Sequence, residues 1–471
     1  MQAKIFFGST EAVKENFSER KSPFNGEVVS QAPTCNADDA KKALKIAQGA
    51  LKNAKSSTLA QRCNWLLDVA KKLKENKEDI AKTITDEVGK PITFARIEVE
   101  RCIETVILSA ETMRTMHGET INTDAMSSGK KSIAYFSRVP AGVVVAITPF
   151  NFPLNLIAHK LAPALVAGNA VVLKPTPEAP LTAYKFAKLF IESSYAIKDA
   201  LSVVYGDAEV GNALITSDIP RVISFTGSVP VGNIITKNAG IKKVSLELGG
   251  NAATFIDKSA DLDLAANRCA LGAFVNSGQV CISLQRIYVD SEIYDEFAQK
   301  MAEETKKLIV GSPYDDDTFM GPLIDDEAAI RAMGWVESAI EEGATPLLPP
   351  HREGRMFHPC VMANVTDDMA IVCEEVFAPI VSLVKVDGFD EAFPKMNNSP
   401  YGLQFSVFTN DLKLAQRAID ELDAGGIVIN DMPTLRFDIQ PYGGVKLSGV
   451  GREGPRFAIE EMTEIKSVVI C

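Results

Sequence analysis

The chain has 471 residues, a net charge of −12 and 46% hydrophobic residues. That length exceeds one compact core, so two or three domains are expected, and the apolar content fits an ordinary packed protein. The acidic balance argues against nucleic acid or an anionic membrane as the main partner.

The N-terminal stretch MQAKIFFGSTEAVKENF lacks the apolar core of a signal peptide. The longest apolar run, AGVVVAI at 141–147, is far too short to span a bilayer, so a soluble cytoplasmic protein is expected. Two amphipathic helices come first. In ADDAKKALKIAQGALKNAK, Ala40, Ala43, Leu44, Ala47 and Leu51 share a face; in TLAQRCNWLLDVAKKLK, Leu59, Cys63, Leu66, Leu67, Ala70 and Leu73 do the same. SGKKSIAYFSRVP, residues 128–140, then alternates like a strand. Beyond residue 139 short apolar runs end in Gly, Pro or polar residues and alternate with helical segments: AGVVVAITPF, NAVVLKP, LSVVYGD, RVISFTGS and KVSLELGG. Such strand–turn–helix repetition predicts an α/β fold with a parallel, doubly wound sheet, whose ligands sit at the strands' carboxyl ends. The pattern resumes after residue 250 with AATFID, RIYVD, APIVSLVKV, FSVFTN and GGIVIND, which predicts a second α/β domain to about residue 430. The final TEIKSVVIC reads as a strand with nothing in its own domain to pair with, which predicts a partner subunit. Eight cysteines (35, 63, 102, 269, 281, 360, 373 and 471) are scattered without a C-x-x-C pair or histidines at zinc spacing. They read as reduced thiols, and no structural metal is expected.

Five stretches could carry chemistry. Cys281, in VNSGQVCISLQR, follows small polar residues that cannot close over it. A cysteine alone is more often inert and buried, whereas a nucleophile needs exposure and a base. Glu247, in KVSLELGGN, puts a charge where a buried strand should be apolar; it is a rim carboxylate or a base held at a strand end. Asn151, in TPFNFPLNL, is flanked by prolines that stiffen its turn, and its amide suits either a helix cap or a developing oxyanion. FTGSVPVG, residues 225–232, can lay a pyrophosphate on helix N–H groups, while the three-glycine dinucleotide fingerprint is missing and GDAEVG at 206–211 is a poor substitute. Lys174 ends a strand and could meet a ribose or simply face solvent.

Together these segments resemble the aldehyde dehydrogenase superfamily over nearly the whole chain. TPFNFP, VVLKP, FTGS, LELGGN, GQVC, EEVFAP, YGLQFSVFT and PYGGVKLSGVGREG occur in the family's order. The resemblance implies a Rossmann-like dinucleotide domain (1–117 and 139–249), a catalytic α/β domain (250–430), and oligomerisation strands (118–138 and 455–471) of a homodimer or homotetramer. It implies Cys281 as nucleophile toward an aldehyde carbon, Asn151 as oxyanion donor and Glu247 as the base that activates hydrolytic water. For the dinucleotide it implies Ile147, Thr148, Pro149 and Phe150, then Lys174 and Pro177, then Gly206 and Gly211. Phe225, Thr226, Gly227 and Ser228 follow, with Leu248 and Gly249, and finally Glu375 and Phe377. Lys174 and Glu375 would bind ribose hydroxyls, Gly227 and Ser228 the pyrophosphate, and Phe377 the nicotinamide side. Phe150 stands where many relatives have tryptophan and Ala378 where glycine is commoner. Pro177 replaces the glutamate often found in NAD-preferring relatives, so NAD is expected with NADP not excluded.

His159 sits two helical turns past Asn151, and with Arg101, Arg436 and the more widespread Arg286 it could line a cationic tunnel. Each arginine could equally serve a salt bridge. The combination resembles the branch of lactaldehyde, sulfolactaldehyde, phosphonoacetaldehyde, glyceraldehyde-3-phosphate and, close by, succinate-semialdehyde dehydrogenases, which implies a small, polar, anionic or hydroxylated aldehyde. Val280 replaces the arginine of the glyceraldehyde-3-phosphate enzymes. A cysteine hydrolase without a redox step, the competing reading, needs a histidine beside Cys281, and the four histidines offer no obvious one; an enzyme for uncharged aldehydes remains a further alternative.

Overall fold

The computed structural model describes residues 1–471. The two early helices start where their caps dictate. α1 (Ala37–Ser56) opens on Asn36, whose side chain accepts from the N–H groups of Asp38 and Asp39 while Asp39 reciprocates; α2 (Leu59–Glu75) opens on Thr58. The predicted face of α1 is buried at Ala40, Ala43, Leu44 and Ala47.

The β-branched runs after residue 139 become a parallel sheet. β1 (Val143–Ile147), β2 (Ala170–Lys174), β3 (Leu201–Val203), β4 (Pro220–Thr226) and β5 (Lys243–Glu247) pair in the order 3-2-1-4-5. Helices cover both faces, which is why the central strands are apolar throughout instead of alternating. Short antiparallel edges escaped the sequence reading: Ile5–Phe7 with Thr10–Ala12 beside β3, and Gly449–Val450 beside β5. Strand order reverses between β1 and β4, so their carboxyl ends open a crevice, and the TPFN and TGS stretches stand at its lip.

The second sheet repeats the winding. β6 (Ala252–Ile256), β7 (Leu284–Asp290), β8 (Ile380–Val386), β9 (Gln404–Phe408) and β10 (Gly426–Ile429) are parallel in the order 8-7-6-9-10, extended past β8 by Cys360–Ala363 and Thr345–Pro346.

Segments 133–140 and 463–470 find each other. They pair antiparallel from Thr463↔Pro140 to Ile470↔Ile133, so the terminal strand has a partner within its own chain. Ile133, Ile465 and Val469 on this ribbon remain 65%, 59% and 57% exposed, an apolar surface still uncovered. The segment from 455 does not begin as a strand: Pro455–Glu461 is a helix, with Pro455 preset at its first turn and Ile459 inside the core of the first lobe. No helix is long and apolar enough to cross a membrane.

Candidate active site

The cysteine is delivered by a strained turn. After the helix Leu262–Phe274, Asn276, Ser277 and Gly278 take φ of 52°, 56° and 72°, left-handed values that β-carbons disfavour. Side-chain bonds hold the turn: Ser277 donates to the Gly321 carbonyl at 2.8 Å, and Gln279 accepts from the Ile324 N–H at 2.9 Å. Cys281 emerges half-buried, just before β7, at the amino edge of the second sheet. Burial pushes its thiol up to about 11, against the pull of a Tyr442 hydroxyl 3.1 Å from the sulfur and of the Arg436 charge. None of the four histidines bonds to it.

Asn151 follows β1 in a loop anchored by Glu98, whose carboxylate accepts from Leu154 and Asn155 N–H at 2.8 and 3.1 Å, where α3 (Asn155–Val166) begins. The Asn151 Oδ1 accepts from the Phe152 N–H, which leaves the NH₂ end of the amide for the cavity it lines. Glu247 ends β5 with only 3% exposure, and neither carboxylate oxygen has a hydrogen-bond partner. Burial, reinforced by the Glu453 charge, pushes its pKa well above the usual carboxylate range. The turn after Glu247 lies directly on the Cys281 segment: a β-carbon at Gly250 would collide with the Cys281 carbonyl oxygen, so only glycine allows the two lobes to meet here. Cys281, Asn151 and Glu247 all line one cavity of about 440 Å³.

Its other half fits a dinucleotide. α4 (Val229–Asn238) begins after Ser228, whose side chain makes no cap, so the first-turn N–H groups, to which Pro230 contributes none, are free for an anion. Gly227 lies against the Phe225 ring, 2.5 Å from where a β-carbon would be. The Thr226 hydroxyl, on the same wall, is buried without a partner. Pro149, Phe150, Gly227, Ser228, Leu248, Gly249, Glu375 and Phe377 line the cavity as well. Glu375 accepts from Gly250 N–H at 3.0 Å, and burial raises it to about 7. Phe377, held at φ 49°, meets Phe150 edge-on at 6.0 Å. Ile147, Thr148, Phe225, Gly206, Gly211, Lys174 and Pro177 stand outside the lining. Lys174 is buried at the end of β2, about 4.0 Å from a β-carbon built on Gly211, and burial lowers its pKa. Pro177 is exposed, but its neighbour Glu178, bonded by the Thr176 hydroxyl, exerts its charge on Lys174.

The cationic residues come paired. Arg101 and Arg436 line the cavity. Arg101 forms a bidentate pair with Asp438 at 2.9 and 2.8 Å; Arg436 donates to Glu453 at 3.1 Å, and Lys160 to the same carboxylate at 2.9 Å. The Nη1 groups of both arginines stay unbonded within the chain. His159 does not reach the cavity. Buried behind it, Nε2 lies 3.0 Å from Asp438 and 3.2 Å from an Arg436 nitrogen; donation to the carboxylate is the pairing the charges favour, and burial lowers the histidine pKa. Arg286 is a correction. On β7 its guanidinium points into the second lobe, donating to the carbonyls of Asn251, Lys395 and Met396 and to the Tyr288 hydroxyl, so it orders backbone and is no substrate ligand. The sequence reading also passed over Asp438, Glu453, Lys160, Tyr442 and Arg331. Tyr442 and Glu453 lay visible in the PYGGVKLSGVGREG motif; the others carried no local signal.

Two doubly wound sheets that meet across one cavity, with the crevice of the first facing a cysteine from the second, define a nicotinamide-dependent oxidoreductase acting on aldehydes. The chain belongs to the Aldehyde dehydrogenase family, whose sequence model matches residues 10–468. It is 46% identical to 3-sulfolactaldehyde dehydrogenase of Priestia megaterium over 92% of this chain and 90% of that protein. It is 40% identical to lactaldehyde dehydrogenase of Methanococcus aeolicus over 96% and 97%. Among solved structures, NADP-dependent glyceraldehyde-3-phosphate dehydrogenase from Bacillus halodurans, complexed with NADP, superposes with a TM-score of 0.98 at 33% identity, covering 100% and 99%. Aldehyde dehydrogenase 21 from Physcomitrella patens, in complex with the reaction product succinate, gives 0.96 at 35% identity, covering 100% and 98%.

Proposed function

We propose that the enzyme oxidises a small polar aldehyde, with an anionic or hydroxylated far end, to its carboxylic acid. The sharing of one cavity by Cys281, Asn151 and an unpartnered, buried Glu247 carries this reading. The Cys281 thiolate, its proton released to solvent, adds to the aldehyde carbon, and the carbonyl pair moves to an oxygen held by the Asn151 NH₂ and the Cys281 N–H. The α4 N-terminus, Lys174 and Glu375 would hold a nicotinamide dinucleotide, which would supply hydride acceptance and so allow the thiohemiacetal to become a thioester. Glu247 then takes a proton from water, and the hydroxide displaces the sulfur. The carboxyl's burial and lack of hydrogen bonds raise its proton affinity, which suits a base.

The anionic tail would bind the two free arginine Nη1 groups, a reading supported by relatives named for 3-sulfolactaldehyde and lactaldehyde. The cofactor is NAD by preference, because Glu178 beside Lys174 opposes a 2′-phosphate. A homodimer or homotetramer would cover the exposed ribbon of Ile133, Ile465 and Val469, and eight unpaired cysteines favour the cytoplasm.

The test is paired. Cys281→Ala should abolish oxidation while dinucleotide affinity is kept. Glu247→Gln should give a burst of reduced nicotinamide, with an acyl adduct on Cys281 visible by mass spectrometry and slow turnover. A Cys281→Ala variant that still oxidises aldehydes ends the reading.

A further inference from the structure

The Tyr442 hydroxyl lies 3.1 Å from the Cys281 sulfur, and the Arg436 guanidinium is stacked 3.7 Å from the centre of the Tyr442 ring. Little of this can drift. Tyr442 exchanges two backbone hydrogen bonds with Glu453, at 3.1 and 2.7 Å, and its ring is packed with Val280, Ile282 and Leu403. Arg436 is fixed in turn by Glu453.

We propose that Tyr442 is a further catalytic residue, its hydroxyl donating a hydrogen bond to the Cys281 thiolate before attack and to the sulfur as it leaves the thioester. Once the thiol has lost its proton, the phenol is the only donor of the pair. When the sulfur attacks, its lone pair becomes the C–S bond and the hydrogen bond weakens. When hydroxide breaks the C–S bond, that pair returns to sulfur and the phenol O–H is already aimed at it. The charged groups acting on the sulfur are Arg436, which favours the thiolate, and Glu247 and Glu375, which oppose it. Burial also opposes the thiolate, so a fixed neutral donor is the contact able to offset it without adding a charge. The stacked guanidinium favours donation by drawing electron density from the ring. The proposal rests on Cys281 being the nucleophile and is indifferent to which aldehyde is used.

Alkylation of Cys281 by iodoacetamide in the full-length protein, without aldehyde, tests it; the Cys281 peptide is followed by mass spectrometry because Cys373 and Cys471 are also exposed. Tyr442→Phe removes one oxygen from the ring and should move the pH midpoint of alkylation up by about one to two units, the worth of a hydrogen bond to a charged group. Replacing Tyr442 with 3-fluorotyrosine, a stronger donor, should move it down. Dinucleotide affinity should stay unchanged in both, and kcat/KM at neutral pH should fall in Tyr442→Phe by the same factor for charged and uncharged aldehydes. An unchanged or lowered midpoint in Tyr442→Phe overturns the proposal. A Cys281 that never reacts, in any variant, refutes instead its role as nucleophile.

Discussion

The two halves of the cavity are built on opposite principles. On the dinucleotide side Phe150, Leu248 and Phe377 stand beside the small Gly227, Ser228 and Gly249, and the donors are left free: the first turn of α4, the Thr226 hydroxyl and the Lys174 ammonium. On the substrate side the cations are engaged, through Lys90–Glu98, Arg101–Asp438, Arg436–Glu453 and Lys160–Glu453. The difference follows from what each side must hold. A dinucleotide brings its own anionic groups, so unpaired donors are satisfied when it binds. The aldehyde pocket must keep guanidinium groups in place when no ligand is present, and a buried cation without a counter-ion is too costly.

The contrast breaks most readily at Glu453. Glu453→Ala strands Lys160 and leaves Arg436 only Asp438 at 3.6 Å, and should cost about 3–5 kcal/mol of unfolding free energy, read as a lower denaturant midpoint. On the other side, Thr226→Val removes a partnerless hydroxyl and should leave stability within about 1 kcal/mol while weakening dinucleotide affinity. Equal losses in the two variants would erase the distinction. Acid probes the same ion lattice. Burial disfavours the charge on Asp438 and Glu453, but bonds from His159 and Arg101 to the first, and the charges of Lys160, His159 and Arg436 on the second, outweigh it and lower both pKa values. Their contribution is complete above the ordinary carboxylate value of about 4 and is lost as pH falls through the depressed folded values. His159, lowered by burial, adds a loss that begins below its ordinary value of about 6.5, because the unfolded chain then binds the proton more readily. The denaturant midpoint should therefore decline with acidification in two stages, and the later stage should be smaller in Glu453→Ala.

Arg101→Met sharpens the substrate half. It removes a lining guanidinium whose Nη1 is unbonded within the chain and should lower kcat/KM about 10–100-fold for succinate semialdehyde, with propanal little changed. Equal loss for propanal would mean that Arg101 serves only its pair with Asp438. The smallest effect is expected at Glu178. Glu178→Ala should shift the ratio of kcat/KM for NADP over NAD upward by about tenfold at most, the worth of one partly solvated charge.

Residues whose chemistry contradicts their local setting were legible in the chain. Glu247 at the end of an apolar strand, Asn151 between prolines and Cys281 after N-S-G-Q each stand out within ten residues, and each lines the cavity. Charge pairing was not legible. Asp438 lies 337 positions from Arg101, and nothing in either neighbourhood announces the other. The same blindness made Arg286 look like a tunnel cation, since a guanidinium reads alike whether it faces a ligand or three carbonyls. It also hid that the C-terminal strand pairs with residues 133–140.

The order of amino acids alone determined the two doubly wound sheets, the glycine turns between them and the three groups at their edges, because strand periodicity and turn chemistry are short-range. Only the folded chain decided which ions neutralise one another, which arginine faces the cavity and which hydroxyl meets the sulfur. Those outcomes depend on distances of a few ångströms between segments hundreds of residues apart, and electrostatic and hydrogen-bond energies change steeply over such distances.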